Sequence, residues 1–181
     1  MNRGRVAPVA SAFAILVGCS ANQQQASGPV TLGRFTPDDA VLFDDSFSPE
    51  VLGIGTGRPE GDPDLPSRVE RSGSVLLVRV ATVTSDTDGT ALGYQIVLQP
   101  VARPLVGASP VEPITIAVHS TSASYGFVKT ADMTLVGGRY VLFWQRFGEG
   151  GRVVVHWHAA PDTPEMRQAV EQVRLARRAP Q

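Results

Sequence analysis

The side chains best spaced for chemistry are two histidines one residue apart, in His156-Trp157-His158. On an extended strand, residues two apart share a face, so both imidazoles can turn toward one ion. Zinc takes three or four such ligands. His119 is the only other histidine, and an acid from residues 38–64 would complete a set. The competing expectation is that His156 and His158 decorate a solvated face while Val153, Val155 and Trp157 fill the core. Asp86-x-Asp88-Gly89 imitates the start of a calcium loop, but Val97 stands where the bidentate glutamate belongs, so a turn is expected. Gly53-Ile54-Gly55-Thr56-Gly57 has Arg58 in place of the third glycine of a dinucleotide fingerprint. The serines at 120–124 lack a Gly-x-Ser-x-Gly elbow, and no carboxylate pair is spaced for acid–base work. Trp144 and Trp157 offer either a stacking surface for a sugar or, as is usual for aromatics in strands, core. No cofactor is implied.

Cys19, the only cysteine, carries a different chemistry. Arg3 and Arg5 precede a run from Val6 to Val17 that is apolar or small except for Ser11. Twelve residues are too few for a lasting bilayer span, which needs about 20, but they suit the apolar region of a signal peptide. The run ends Leu16-Val17-Gly18-Cys19 and passes into polar, glutamine-rich chain. This ending resembles the lipobox of bacterial lipoproteins. The resemblance implies that the Cys19 thiol receives a diacylglycerol, that the chain is cut before it, and that the new amine is acylated. Two or more acyl chains hold a protein stably to a membrane. With Ser20 rather than aspartate after the cysteine, the same resemblance implies the outer membrane, periplasmic face, over the inner membrane.

Removing residues 1–18 leaves 163 of the 181, enough for one domain with its own core. Arg3 and Arg5 go with them, so the 16 basic residues become 14 against 17 acids, and the net charge is about −3. That balance argues against nucleic acid, whose binders show a basic patch. Without a second thiol, the fold must rest on apolar burial alone.

The elements that must position these residues follow from periodicity. Residues 19–36 read as the lipidated cysteine and a flexible tether. Residues 37–73 read as a loop-rich surface, eight of the 17 acids falling in 37–64, with a brief helix from Asp64-Leu65-Pro66 to Arg71. From residue 74 the period becomes two. Strands are expected at 75–83, 94–99, 114–119, 140–144 and 153–158, with a long connection over 120–136. Gly148-Glu149-Gly150-Gly151 reads as a hairpin loop. Thr163-Pro164-Glu165 opens a helix whose stripe is Met166, Ala169, Val170 and Val173.

Residues 74–181 are therefore expected to form a mainly β domain: a small antiparallel five-stranded barrel or rolled sheet with one C-terminal helix. Its order, with Gly137, Tyr140 and Phe143 in a G-x-x-Y-x-x-F pattern, resembles the OB-like and netrin-like barrels of exported bacterial proteins. The function expected is a membrane-anchored, non-enzymatic binding or structural module, meeting an envelope protein or polymer and no nucleic acid. The alternatives are a metal protein using His119, His156 and His158, and an OB-type module for oligosaccharides.

Overall fold

A computed structural model describes residues 32–51, 62–87 and 92–178. The lipobox and Cys19, the glycines at 53–57 and the Asp88-Gly89 turn lie outside the described residues. Eleven elements follow in order: α1 (Pro37–Leu42), β1 (Ser46–Phe47), α2 (Leu65–Arg71), β2 (Ser74–Thr87), β3 (Leu92–Pro100), β4 (Val106–Gly107), β5 (Ile114–His119), α3 (Tyr125–Leu135), β6 (Arg139–Glu149), β7 (Arg152–Pro161) and α4 (Pro164–Arg178). The protein is mainly β, a curled half-barrel sheet with a C-terminal helix.

One sheet runs β1-β7-β6-β2-β3-β5, with β4 paired to β2 beside the end of β3. The five expected strands are its long members. Two short strands bring the total to seven, and β1 lies parallel to β7 rather than antiparallel. Four helices are described where one was expected at the C-terminus, with a brief second.

The alternating side chains of β2, β6 and β7 feed two cores, which is why these strands read as apolar on both faces. Leu76, Val78, Val80, Leu142, Trp144, Trp157 and Ala159 face the inside of the curl, with Ile96, Leu98, Ile116 and Val118 from β3 and β5. Val128 and Leu135 of α3 plug one end of this inner core. Val75, Leu77, Val141, Phe143 and Ala160 face outward, under Leu42 and Phe43, Leu65 and Val69 of α2, and Met166, Ala169 and Val170 of α4. The described parts of the acidic stretch, 37–51 and 62–73, thus belong to the folded body and supply part of the outer cover. Thr36 and Asp39 cap α1 reciprocally, and Asp39 also meets Arg71 at 2.5 Å, which is how that carboxylate sits buried.

Local chemistry explains the ends of the elements. Gly150 and Gly151 both have positive φ, 53° and 78°, and join Glu149 to Arg152 in a two-residue hairpin of the kind that matches strand twist. Thr163 Oγ1 accepts from Met166 N at 3.1 Å and starts α4 as its sequence implies. The Asp64 side chain makes no such cap on α2.

The edges of the sheet, β1 and β5, approach but share no ladder among the described residues. Side chains lace them instead. Ser122 Oγ donates to Asp45 O at 2.9 Å, Phe47 N donates to Ser124 Oγ at 2.7 Å, and the Trp157 indole N–H reaches Ala117 O at 3.4 Å. Past Trp157 and Ala117, toward the β6–β7 hairpin, the seam has no such lacing among the described residues.

Candidate functional site

His156 and His158 do share a face of β7, but it is not a solvated one. Phe43, Asp44 and Asp45 follow α1, and Asp45 takes φ 50°, a left-handed turn that aspartate tolerates better than most residues. The turn sets β1 beside β7 and drops both carboxylates onto the histidines. Asp44 Oδ1 meets His158 Nδ1 at 2.9 Å, and Asp45 Oδ2 meets His156 Nδ1 at 2.7 Å. Glu149 Oε1 reaches the other ring nitrogen of His156 at 2.9 Å. The Phe35 ring then covers His156, with centroids 3.7 Å apart and planes 10° from parallel. His158 is buried against Phe143.

The two carboxylates respond oppositely. Burial pushes the Asp44 carboxyl up, but the hydrogen bond and charge of His158, helped by Ser46, outweigh it and hold Asp44 below the ordinary carboxylate range. Burial also pushes Asp45 up; His156 and the Trp157 N–H offset this only in part, and the charge of Asp44 adds to it, so Asp45 stays above that range.

A metal ligand must offer an unprotonated nitrogen. His156 has a carboxyl group at each ring nitrogen, Asp45 at Nδ1 and Glu149 at Nε2, so both nitrogens are already engaged. His119 lies exposed on β5, the opposite edge of the sheet. Among the described residues no group of three or more His, Cys, Asp or Glu side chains is placed to hold a metal ion. The acids and histidines work as a clasp that ties the β1 turn and Phe35 to β7. The serines after β5 are similarly occupied, Ser122 and Ser124 lacing the seam.

The unlaced part of the seam is concave. A groove of about 320 Å³ runs over residues 110–115, Trp144, Arg146 and Val155. Trp144 is 7% exposed, and its indole Nε1 is buried with no hydrogen-bond partner among the described residues. The Arg146 guanidinium lies over the Trp144 ring, 5.0 Å from its centroid. Beside it Val111 stands fully in solvent and Val153 largely so. Trp157, the other tryptophan considered for stacking, is core at 1% exposure. A second groove, of about 400 Å³, is lined by Leu105, Arg174 and Arg177, and Arg174 is tied to Glu171.

Asp44, Asp45, Glu149 and Phe35 escaped sequence reading because their partners lie 111 to 121 positions away for three of them, with no local signal. Trp144-x-Arg146 was legible: on a strand the pair must share a face. Fold and site together define a curled half-barrel, clasped on one face by acid–histidine pairs and open along part of its seam. No family model, curated protein or solved structure matches the chain.

Proposed function

We propose that the chain is a lipid-anchored, non-enzymatic binding module of a bacterial cell envelope, held through Cys19, most simply on the periplasmic face of the outer membrane, and that the seam groove takes an envelope protein or polymer. The anchor rests on the sequence: Arg3 and Arg5, the apolar run, and Leu16-Val17-Gly18-Cys19. Among the described residues no helix is long and apolar enough to cross a membrane, so anchoring by this route asks nothing further of the domain.

The binding half is carried by one observation. Trp144 lines the groove, and among the described residues its buried indole Nε1 has no acceptor. Such donors are normally satisfied, and leaving one bare costs about 1–3 kcal/mol. A ligand that brings a carbonyl or hydroxyl oxygen relieves that cost, while Arg146 beside it favours an anion. Concave sites with a few aimed polar groups, at the mouths of β-barrels among other places, are where ligands bind.

The test is photo-cross-linking in living cells, with p-benzoylphenylalanine placed at Val111 beside the groove or at Val41 on α1 as a control. Both positions are well exposed, at 102% and 60%. An adduct specific to position 111, identified by mass spectrometry as envelope protein or polymer, is expected. Equal or no adducts from the two positions contradict the binding assignment. A Cys19→Ala chain found in the soluble fraction supports the anchor, and one still in the membrane fraction refutes it.

A further inference from the structure

We infer that the occupant of the groove is an extended segment of a partner polypeptide, added as a strand between β5 and β7 and bearing a carboxylate opposite Arg146. This rests on the reading of the groove as the binding surface and narrows it to one class of ligand.

The backbone carries the inference. Trp157 O accepts from Asp45 N and Ala159 O from Ser48 N, so the odd-numbered residues of β7 turn their ladder groups away from β6, toward the seam. Ladder groups alternate along an antiparallel strand. Val155, two residues before Trp157, therefore presents its N–H and C=O to the unlaced seam, and its side chain lines the groove. On β5, Ala117 O receives the Trp157 indole from that same seam. Two residues earlier Thr115, also lining the groove, turns the same way. Among the described residues neither strand has a further backbone partner at Val155 or Thr115.

Direction agrees as well. Successive neighbours from β7 through β6, β2 and β3 to β5 are all antiparallel, so β5 and β7 run the same way across the seam. One strand antiparallel to both would meet two ladders of the same kind. It would lie about 4.8 Å from each edge and show alternate residues to the groove floor. Unpaired edges are templates for strand addition, with affinity from main-chain bonds and specificity from pockets for alternate side chains.

The floor sets that specificity. Trp144 lines the groove, and among the described residues its buried Nε1 lacks an acceptor, a donor that an occupant's oxygen would satisfy on entering. Arg146 is exposed, and among the described residues no carboxylate is within ion-pair reach of it; Glu112 also lines the groove, so the acid of the occupant belongs at the Arg146 end. Both features select a segment with a carbonyl near the floor and an acid at the rim. A sugar polymer would use the donor but leaves the seam-facing backbone groups of Thr115 and Val155 unexplained.

The test uses the full chain in detergent micelles and a phage-displayed library of random dodecapeptides. Selected sequences should be enriched in Asp or Glu. A synthetic peptide of a selected sequence should lose binding when alternate backbone nitrogens are methylated and keep it when the intervening ones are. Arg146→Ala, an exposed change whose folding is checked by circular dichroism, should weaken binding roughly tenfold. Hydrogen exchange of the Thr115 and Val155 amides should slow when peptide is present. Binding insensitive to the position of methylation, or groove amides that exchange as fast with peptide as without, overturns strand addition. If no peptide is selected while the Val111 cross-linker captures glycan or a second copy of the chain, the strand inference falls and the binding module stands. If no adduct forms at Val111 either, both fall.

Discussion

Asp45 should be the most sensitive point of the clasp, because three contacts converge on one residue. Its Oδ1 accepts from Trp157 N at 3.0 Å, its Oδ2 meets His156 Nδ1 at 2.7 Å, and its own N–H donates to Trp157 O at 2.9 Å. Asp45→Ala deletes the two side-chain bonds and leaves the Trp157 N–H facing nothing. A bond to a charged group contributes about 1.5–3 kcal/mol, and a stranded buried donor costs about 1–3 kcal/mol. Alanine must also take φ 50°, where it is strained. Against these losses, burial holds the Asp45 pKa up, so the ionised carboxylate carries a desolvation cost that the substitution removes. The expected net loss is about 3 kcal/mol. Asp45→Asn keeps an acceptor for Trp157 N and tolerates the left-handed turn, so about 1 kcal/mol is expected. At roughly 2–4 °C per kcal/mol for a chain of this size, the Tm should fall by about 6–12 °C for alanine and about 2–4 °C for asparagine. Urea unfolding monitored by Trp fluorescence gives the free energies directly. Equal losses for the two variants, or alanine within about 0.5 kcal/mol of the wild type, would refute the clasp.

Further outcomes follow from the same contacts. Asp44 titrates below its ordinary value, so it contributes stability above about pH 4 that is lost as pH falls through its folded pKa; Asp45, titrating above, lowers stability as pH rises from about 4 through its own folded pKa. Acid-unfolding curves should therefore flatten in opposite senses for Asp44→Asn and Asp45→Asn, and a common sense would contradict the two assignments. Ser124→Ala strands the buried Phe47 N–H and should cost about 1–3 kcal/mol in urea unfolding, whereas a loss near zero would mean that Ser124 does not lace the seam. Met166→Ala removes α4's first buried contact with the outer core and should cost about 2–5 kcal/mol by the same assay; a negligible change would show that α4 is not packed there.

How much of this was legible in the sequence depended on the range of the interaction. The five long strands were visible because period-two alternation and the Gly150-Gly151 turn are local. The C-terminal helix was visible because Thr163, Pro164 and the Met166–Val170 stripe state its start and its buried face. The helix at Tyr125–Leu135 was not: its first turn carries no acid and its N-cap Ser124 makes no capping bond, its hydroxyl being spent on Phe47 instead. The burial of His156 and His158 was missed for a related reason. Their face of β7 is covered by Phe35 and the Asp44-Asp45 turn, more than 110 residues away, and an acidic doublet in a turn-rich stretch reads as solvated surface. The short parallel strand β1 carries no periodicity in two residues. For the groove, the tryptophan and arginine were readable as neighbours on one face, but their place at an unlaced seam comes only from the topology.

The most direct measurement of the central proposal is occupancy of the groove in its own membrane. Thr115→Cys places a thiol on the exposed edge of β5, and Val41→Cys places one on α1, away from the seam. Maleimide labelling rates are compared between intact envelopes and the purified full chain. The account predicts that position 115 labels at least about tenfold more slowly in envelopes, as a site largely filled there would, while position 41 labels alike in both. Equal rates at position 115 would mean that nothing sits in the seam, and the binding module as described would be contradicted.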